Sequence, residues 1–413
     1  MTLQERQRTY ARVQLHALNP TPGHPVMIRG ETAQASFLEI VAECAIEGGA
    51  SEAKILISDP MEMAELIRRN DQEGIVSLHE GTRQAFQWIG EQEGAVVRFS
   101  GSEFPNLRGE LAREFPDAFR FWDQHETEAI RFYREEIAGK GLLPWLVAFA
   151  PTQGEASFMY PDQEDGLKKA WEDAFKMSLL DSVDPIAAWE ELDKRLHRQC
   201  ERLNNLSIES VRITGHGSDI EIGFSPLHRY LGGSKVTQKG IRVNNNRPSY
   251  ETWTAPHNKR ADGVLCATVP FFCDGILVCD LVITMSEGKI VDASASAGLE
   301  AFLQHIKYDG ANRLGEFALV SCDSPLQGIP FTGSTLIEEN RACHVAVGSA
   351  YKTNLEGGIH MTPEELASNG VNTSPKHTDF MWGGEDTEIL AYTTDGDKVQ
   401  LMENGILLPF LTT

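Results

Sequence analysis

The amino-acid sequence predicts a fold of class α/β plus α+β, with an N-terminal α/β domain over residues 1–200 and a mainly antiparallel β domain over residues 201–413. Three observations support this prediction. The chain has 413 residues, whereas a single hydrophobic core stops growing at roughly 250–300 residues. Short apolar runs alternate with helical periods in the first part. From about residue 210 onward, apolar and polar residues alternate between turn signals.

The N-terminal domain is predicted to consist of strands separated by helices. Apolar runs predict strands at 25–30, 53–59, 95–101 and 143–151. Helical periodicity predicts helices at 32–50, 61–70, 82–94, within 110–140, at 164–180 and at 184–206. The Asp184-Pro185 pair is a helix start signal, and the helix that follows it is long enough to bridge two domains. This order of elements is typical of a parallel sheet covered by helices.

The C-terminal domain is predicted to be built from antiparallel hairpins. Residues 210–224 form two alternating runs around a Gly-Ser-Asp turn, which is a hairpin signature. Similar alternation recurs at 264–270, 275–296, 316–322 and 388–408. The dipeptides Asp395-Gly396 and Asn404-Gly405 predict tight turns within the last of these segments.

Composition excludes several classes of function. The formal net charge is −23, and no block of Lys and Arg compensates it, so we expect neither nucleic-acid nor anionic-membrane binding. No run reaches the roughly 18 apolar residues of a membrane span, and the N-terminus lacks the apolar segment of a signal peptide, so we expect a cytoplasmic protein. The seven cysteines include no C-x-x-C pair, which predicts buried, reduced thiols rather than disulfides or a zinc knuckle.

Several common catalytic motifs are absent from the sequence: G-x-G-x-x-G, the P-loop, G-x-S-x-G and H-E-x-x-H. What remains is a set of metal-ligating residue types in the last part of the chain. In a strand, residues two apart point to the same face, so His377 and Asp379 would converge on one metal ion. The alternative for this pair is ordinary surface polarity or a turn.

Three further segments place acids or histidine beside apolar runs. Glu338 and Glu339 precede His344, which enters a Val-Ala-Val run, although the two acids also fit a solvated helix start. Glu316 precedes a strongly apolar strand, where a carboxylate is costly unless it is hydrogen-bonded or binds a cation. Glu251 follows a proline that stiffens its loop. None of these segments is informative alone.

In this order, the four segments resemble the thermophilic-type metalloaminopeptidases, the family of aminopeptidase T, aminopeptidase S and PepS. The matching strings are NRPSYETWTAP at 246–256, LGEFALV at 314–320, LIEENRACHVAVGSAY at 336–351 and HTDFMWG at 377–383. The resemblance covers most of the chain and is looser between about 70 and 140.

The resemblance implies an aminopeptidase that hydrolyses the N-terminal bond of short peptides with water activated by two divalent ions, either zinc, cobalt or manganese. It implies that Glu316 bridges the ions and that Tyr351 donates a hydrogen bond to the tetrahedral oxyanion. It also implies a homodimer, with Glu338 as a neighbour of the site. The implied metal ligands are Glu251, Glu316, Glu339, His344, His377 and Asp379.

Departures from the family pattern keep other functions open. Tyr250, Trp382 and a shortened loop at 324–331 lie near the expected ligands in sequence, which predicts an atypical specificity pocket. One alternative is a non-haem iron dioxygenase that opens the ring of a dihydroxypyridine. Another is an amide hydrolase that acts on a non-peptide substrate. Retention of both Glu316 and Glu339 favours two metals and hydrolysis over the dioxygenase.

Overall fold

The computed structural model describes residues 2–412. Its α-helices are, in chain order, α1 (Leu3–Leu18), α2 (Ala35–Glu47), α3 (Pro60–Arg68), α4 (Gln72–Glu91), α5 (Leu107–Glu114), α6 (Pro116–Phe132), α7 (Gln153–Met159), α8 (Gly166–Met177), α9 (Pro185–Asn205), α10 (Leu299–His305), α11 (Thr335–Glu338), α12 (Pro363–Ser368) and α13 (Pro409–Thr412). A π-helical segment, Tyr133–Ala138, follows α6. Within residues 2–412, no helix combines the length and the apolar character needed to cross a bilayer.

The strands are, in chain order, β1 (Val26–Glu31), β2 (Ala53–Ser58), β3 (Ala95–Ser100), β4 (Trp145–Phe149), β5 (Ile208–Gly215), β6 (Ser218–Phe224), β7 (Lys235–Val236), β8 (Arg242–Val243), β9 (Asn246–Arg247), β10 (Thr252–Thr254), β11 (Pro256–Cys266), β12 (Phe271–Cys273), β13 (Ile276–Val278), β14 (Val282–Ser286), β15 (Lys289–Ser294), β16 (Leu314–Leu319), β17 (His344–Gly348), β18 (His377–Met381), β19 (Glu388–Thr393), β20 (Lys398–Glu403) and β21 (Ile406–Leu407).

The chain divides into two compact units. The first contains the chain up to Trp189 together with Ser234–Pro248, and the second contains Glu190–Gly233 and the chain from Ser249 onward. The division falls within helix α9, and the predicted boundary between residues 200 and 201 lies further along the same helix.

The first unit is built on a parallel sheet, as predicted. Its strand order is β2-β1-β3-β4-β9, and every neighbouring pair is parallel. The two faces of β3 pack against different groups of residues. Val96 packs in one cluster with Met27, whereas Phe99, on the opposite face, contacts Phe37. Helices therefore cover both faces, which is the usual arrangement for a parallel sheet.

Several elements of the first unit were not predicted from the sequence: α1, α7, β7, β8 and β9. Helix α1 begins with a capping box, in which the side chains of Thr2 and Glu5 each accept a hydrogen bond from the other's backbone N–H. This T-x-x-E pattern is the local signal for α1. Strand β9 has two residues and pairs with β4 far away in the sequence, so no local periodicity indicates it.

The second unit is mainly antiparallel, as predicted. One sheet has the order β15-β14-β11-β6-β5-β19-β20-β21, and a four-stranded sheet has the order β10-β16-β17-β18. The turns predicted at Asp395-Gly396 and Asn404-Gly405 occur, with positive φ at Gly396, Asn404 and Gly405. The predicted Gly-Ser-Asp turn is misplaced, because the first hairpin turns at His216-Gly217 and Ser218 and Asp219 already pair within β6. Buried apolar residues from both sheets form one core. The parallel and antiparallel halves of the predicted fold class are thus both confirmed.

Candidate metal centre

The four-stranded sheet has one apolar face and one polar face. Successive residues of a strand point to opposite faces, so Phe317, which is fully buried in the core, leaves Glu316 and Ala318 on the other side. The apolar face continues across the sheet through the buried residues Leu319, Val345, Val347 and Phe380. The acids and histidines identified in the sequence must therefore lie on the opposite face.

The strand register brings these polar residues side by side. Glu316 of β16 and Asp379 of β18 both pair with Ala346 of the intervening strand β17. His377 pairs with Gly348 in the same way. Because Ala346 and Gly348 have minimal side chains, they leave space above the middle of β17. Flanking functional groups can turn toward one another across that space.

Two further residues share this face. His344 lies two residues before Ala346 on β17 and therefore points in the same direction. Glu251 directly precedes β10 and lies two residues before Trp253, which pairs with Ala318. The stiffened loop predicted around Glu251 thus ends in a strand, and that strand forms the edge of the sheet.

The side chains form two sets of three donors that share one carboxylate. The Nε2 atom of His344 lies 3.2 Å from Glu251 Oε2 and 3.7 Å from Glu316 Oε1. The Nε2 atom of His377 lies 3.6 Å from Glu316 Oε2 and 3.5 Å from Asp379 Oδ1. Within each set the donor atoms lie within 4.8 Å of one another. Glu316 thus directs one oxygen toward each histidine.

Backbone carbonyls orient both imidazoles. The Nδ1 atom of His344 lies 3.2 Å from the carbonyl oxygen of Ala342, and the Nδ1 atom of His377 lies 2.7 Å from that of Ser349. An N–H at Nδ1 that donates to a carbonyl fixes each ring with Nε2 directed toward the carboxylates, so Nε2 can hold a proton there or, once deprotonated, bind an ion. This is how metal-binding histidines are commonly held.

The site is removed from water, and this shifts its proton affinities. Although burial lowers the pKa of His377, the carboxylates of Asp379 and Glu316 outweigh it and raise that pKa to about 9. The same balance, with Glu251 and Glu316 as partners, holds the pKa of His344 well above its usual value. Burial and then the charge of Asp379 raise the pKa of Glu316, although the histidines oppose this. Ion binding would have to displace these protons.

The donor set fits divalent cations. Glu251 Oε2 and His344 Nε2 are buried and face each other at 3.2 Å, and neither makes a further hydrogen bond, so a divalent ion between them would replace the proton that they share in its absence. Carboxylate oxygens and imidazole nitrogens without a thiolate suit ions such as zinc, cobalt or manganese. The residues therefore match the cofactor class that the sequence implies.

Glu339 belongs to neither donor set, although it lies close to both. It follows α11 and is only partly exposed. Burial and then the negative charges of Glu251 and Asp379 hold the pKa of Glu339 well above its usual range. The charges of the site thus raise the pKa of the Glu339 carboxyl group, although this group belongs to neither set of close donor atoms.

The neighbouring Glu338 is fully buried rather than part of a solvated helix start. Its carboxylate accepts hydrogen bonds from the backbone N–H and the hydroxyl of Thr332, both at 2.8 Å. It also lies 2.8 Å from the Nε atom of Arg341. These contacts connect Thr332, which directly follows the 324–331 loop, and Arg341 to the end of α11, so Glu338 stabilises the segment that carries Glu339.

Asn340 is a supporting residue that the sequence patterns do not indicate. Its side-chain oxygen accepts a 2.6 Å hydrogen bond from the backbone N–H of Tyr250, and its side-chain nitrogen donates to the carbonyl of Leu336 at 3.0 Å. The amide thereby ties the turn that carries Glu339 to the residue before Glu251. Local spacing in the sequence does not predict a contact between residues that are 90 positions apart.

The structure places Tyr351 at the site and Trp382 away from it. The Tyr351 ring is 5.2 Å from that of His377, and its side chain is exposed. Desolvation and then the charges of Glu316 and Asp379 raise the pKa of the Tyr351 hydroxyl, which keeps it protonated as a donor.

Trp382 follows β18 and stacks on Phe317 with ring centroids 6.0 Å apart. It is 1% exposed and belongs to the apolar core. Its side chain lies on the core side of the sheet, so Trp382 does not line a pocket on the polar face. That the specificity pocket is atypical stays a prediction. Tyr250 is also buried.

Comparison with known proteins gives a consistent answer. The family model of the thermophilic metalloproteases (M29) matches residues 3–406. Aminopeptidase 2 of Geobacillus stearothermophilus is 31% identical over 394 residues, and aminopeptidase T of Thermus aquaticus is 31% identical over 398 residues, with 94% of each chain covered in both cases. The structure of wild-type AmpT from Thermus thermophilus matches with a TM-score of 0.88 at 28% identity, covering 98% of this chain and 100% of that one.

These matches confirm the family resemblance and the fold class predicted from the sequence. They extend over almost the whole chain and include each segment that contributes to the polar face of the four-stranded sheet. The chain belongs to the M29 family of thermophilic metalloproteases.

Proposed function

We propose that this protein is a metal-dependent aminopeptidase that hydrolyses the N-terminal peptide bond of short peptides at a dinuclear site. The observation that carries this proposal is the position of Glu316, whose two carboxylate oxygens each face a different histidine. The relatives that are named aminopeptidases support the exopeptidase part of the proposal.

The residues of the two donor sets would hold the ions. One position is bounded by Glu251, His344 and Glu316, and the other by Glu316, His377 and Asp379. Glu339 would complete the shell, as the family resemblance implies, and the charges of Glu251 and Asp379 act on its carboxylate. When bound, two such ions lower the pKa of a water molecule and polarise a substrate carbonyl, which is the chemistry that amide hydrolysis requires.

Charge balance favours two ions over one. The carboxylates of Glu251, Glu316, Glu339 and Asp379 carry four negative charges when ionised, and neutral histidines add none. Two divalent ions match that charge, whereas one would leave a net charge of −2 in a buried site, at a cost of several kcal/mol per uncompensated ion. A mononuclear iron dioxygenase is therefore the less favoured alternative. An amide hydrolase that acts on a non-peptide substrate would use the same metal chemistry. Only a comparison of substrates distinguishes it from an aminopeptidase.

Tyr351 would stabilise the charge that develops on the substrate. Its phenol remains protonated because its pKa is raised, and its ring lies beside His377 at the exposed side of the site. A donor in this position can form a hydrogen bond to the oxyanion of the tetrahedral intermediate, an interaction worth about 100- to 1,000-fold in rate.

The test compares two reactions with the same purified protein. Aminoacyl p-nitroanilides are offered with zinc, cobalt or manganese, and 2,5-dihydroxypyridine is offered with ferrous iron and oxygen. We expect release of nitroaniline from free aminoacyl substrates, no release from N-acetylated ones, and no ring opening. Ring opening without nitroaniline release would overturn the proposal. Cleavage of simple anilides other than aminoacyl ones would favour the non-peptide amide hydrolase.

Two further expectations stay predictions. The resemblance implies a homodimer, which light scattering of the purified protein would measure. A cytoplasmic location is expected from the sequence and would be measured by fractionation of cells that express the chain.

A further inference from the structure

Two arginines of the first unit lie side by side on its parallel sheet. Arg29 of β1 and Arg98 of β3 are register partners on adjacent strands. Both point to the sheet face that carries Met27 and Val96, because each lies two residues further along the same strand. Among residues 2–412, neither guanidinium makes a hydrogen bond or an ion pair with a carboxylate. Two like charges are thus held together without an anionic partner.

The arginine pair lies in a recess that solvent can enter. The side chain of Arg98 is exposed and that of Arg29 is partly exposed. The surrounding protein nevertheless desolvates the Arg98 guanidinium and lowers its pKa. Desolvation and then the charge of Arg98 lower the pKa of Arg29 to about 10. A group that water reaches while protein surrounds it is placed to bind a ligand of opposite charge.

The carboxylates whose charges act on Arg98 have other partners. Glu126 accepts a hydrogen bond from Arg108 at 2.9 Å, and Glu31 accepts one from the backbone N–H of Glu103 at 2.9 Å. Both stabilise the charge of Arg98 without contacting it. Burial also raises the pKa of Glu31, which disfavours its charged form. These acids therefore reduce the repulsion between the two arginines but leave their N–H groups free for a ligand.

A buried phenol beside Arg29 also lacks an acceptor. Tyr133, in the π-helical segment after α6, is 6% exposed, and its hydroxyl has no hydrogen-bond partner. Its ring lies 5.0 Å from the ring of Phe86, and the Arg29 guanidinium lies 4.8 Å from that same ring. Burial raises the pKa of Tyr133 and the charge of Arg29 opposes this, so the hydroxyl lies within range of the guanidinium. A buried donor of this kind is costly to leave unpaired.

The arginine pair lies where the strand order of the sheet reverses. From β1 the chain continues through α2 to β2 on one side of β1, and it then returns through α3 and α4 to β3 on the other side. Both arginines lie two residues before the carboxyl ends of their strands. In open α/β sheets, ligands bind in the crevice at the carboxyl ends of the strands beside such a reversal.

We propose that Arg29 and Arg98 bind the phosphate group of a small phosphate monoester, with the Tyr133 hydroxyl as a further donor. A phosphate dianion matches the charges of both guanidinium groups and offers an oxygen to each donor, whereas a carboxylate would neutralise only one arginine. The planar fork of arginine suits bidentate contacts with such an anion. All three residues belong to the first unit, so this site shares no residue with the donor sets of the second unit.

Titration calorimetry of the full-length protein tests the inference without reference to catalysis. The probes are phenyl phosphate, inorganic phosphate and succinate, at constant ionic strength in chloride. The test variant is Arg98→Gln, whose exposed side chain can be replaced without a cavity. The matched control is Arg113→Gln, which removes the same charge from an exposed side chain of α5. Each titration is repeated with Glu316→Gln, because phosphate also binds to metal ions.

We expect saturable binding of both phosphate probes by the parent protein, by Arg113→Gln and by Glu316→Gln. In Arg98→Gln the affinity should fall at least about tenfold, which is the usual effect of losing a hydrogen bond to a charged group. Tyr133→Phe, which removes only the hydroxyl, should weaken binding by a smaller factor.

Binding that does not saturate, or equal affinities in Arg98→Gln and Arg113→Gln, would overturn the inference. Loss of the binding in Glu316→Gln would place the phosphate at the metal centre and would overturn it as well. Tighter binding of succinate than of either phosphate probe would contradict the assignment to phosphate. An unchanged affinity in Tyr133→Phe would contradict the role of the phenol.

The inference and the proposed function fail separately. A protein that cleaves aminoacyl anilides but binds phosphate equally well in Arg98→Gln and Arg113→Gln retains the proposed function and lacks the phosphate site. A protein that binds phosphate through Arg98 but cleaves nothing has the phosphate site and a different function.

Discussion

The two faces of the four-stranded sheet are made by alternating residues of the same strands, and their chemistry is opposite. On one face, Phe317, Val345 and Phe380 pack into the apolar core. The other buries Glu251, Glu316 and His344 close together, and Glu251 Oε2 and His344 Nε2 have no hydrogen-bond partner beyond the contact between them. Burial thus stabilises the first face and makes the second dependent on a ligand.

This difference separates stability from function within single strands. A residue of the core face contributes apolar burial, so its loss should lower the free energy of unfolding. Burial of a charged residue on the ligand face costs free energy. Its replacement should therefore affect metal binding and turnover while leaving the stability of the metal-free protein nearly unchanged. Neighbouring positions on one strand can test both statements.

The largest expected effect is on the ligand face. Glu316→Gln keeps the shape of the side chain but removes the charge shared by both donor sets, so turnover should fall at least about 1,000-fold, or about 4 kcal/mol in activation free energy. The thermal midpoint of the metal-free protein should stay close to that of the parent, as measured by calorimetry. A variant with normal turnover would contradict the shared role of Glu316.

The adjacent position on the core face should behave in the opposite way. Phe317→Ala leaves a cavity in the core, and the expected loss is about 3–5 kcal/mol in the free energy of unfolding. Urea unfolding followed by tryptophan fluorescence measures it. At low temperature the folded fraction should retain nearly parental turnover per molecule. Loss of catalysis in a folded Phe317→Ala protein would show that the two faces are not independent.

Metal removal should distinguish the faces without any mutation. Chelation should abolish turnover, and added zinc, cobalt or manganese should restore it. Because the ions bind the folded state, stability should rise by about 2.7 kcal/mol for each ion bound when free metal is 100 times its dissociation constant. Glu316→Gln should lose most of this rise, whereas Phe317→Ala should keep it. Equal stabilisation of both variants would place the ions elsewhere.

The smallest expected effect concerns a histidine that lacks carboxylate partners. His228 stacks on Phe224 of the core, and burial lowers its pKa to about 4, whereas the acidic neighbours of His377 raise that pKa to about 9. As the pH falls, His228 is therefore protonated at a higher pH in the unfolded chain than in the folded protein.

Stability should accordingly fall as pH decreases from about 6.5 toward 4, with no contribution of His228 above that window. His228→Gln cannot take up the proton, so its thermal midpoint should decline less steeply over the same interval. Midpoints recorded between pH 8 and 4 for both proteins measure the difference. Parallel curves would show that His228 does not titrate differently in the folded state.

Local patterns in the sequence were sufficient for much of the fold. Strands β1, β3, β16 and β17 coincide with apolar runs, and helix α9 begins at the predicted Asp184-Pro185 signal. Short or terminal elements such as β9 and α1 were not predicted, because β9 depends on a distant partner and α1 on a capping box at the very start of the chain. Periodicity reports which residues share a face, and it does so within one element only.

The candidate residues of the site were also identified from the sequence, by the resemblance of their segments to one family. Apart from the bridging role that the resemblance implies for Glu316, their arrangement was not. That Glu316 stands between two histidines follows from the pairing of β16, β17 and β18, and the approach of Glu251 to His344 follows from the pairing of β10 with β16. A shift of one residue in any of these pairings would move each set of side chains to the other face.

The sequence by itself determined the chemical types available to this protein: acids, two imidazoles and a phenol beside apolar strands, in an acidic chain without nucleotide or serine-hydrolase motifs. Only the tertiary structure decided that Trp382 packs in the core, that Asn340 ties two segments together, and that Glu339 stands outside both donor sets. The reason is physical. Side-chain chemistry is local to a residue, whereas register and burial depend on contacts between segments far apart in the chain.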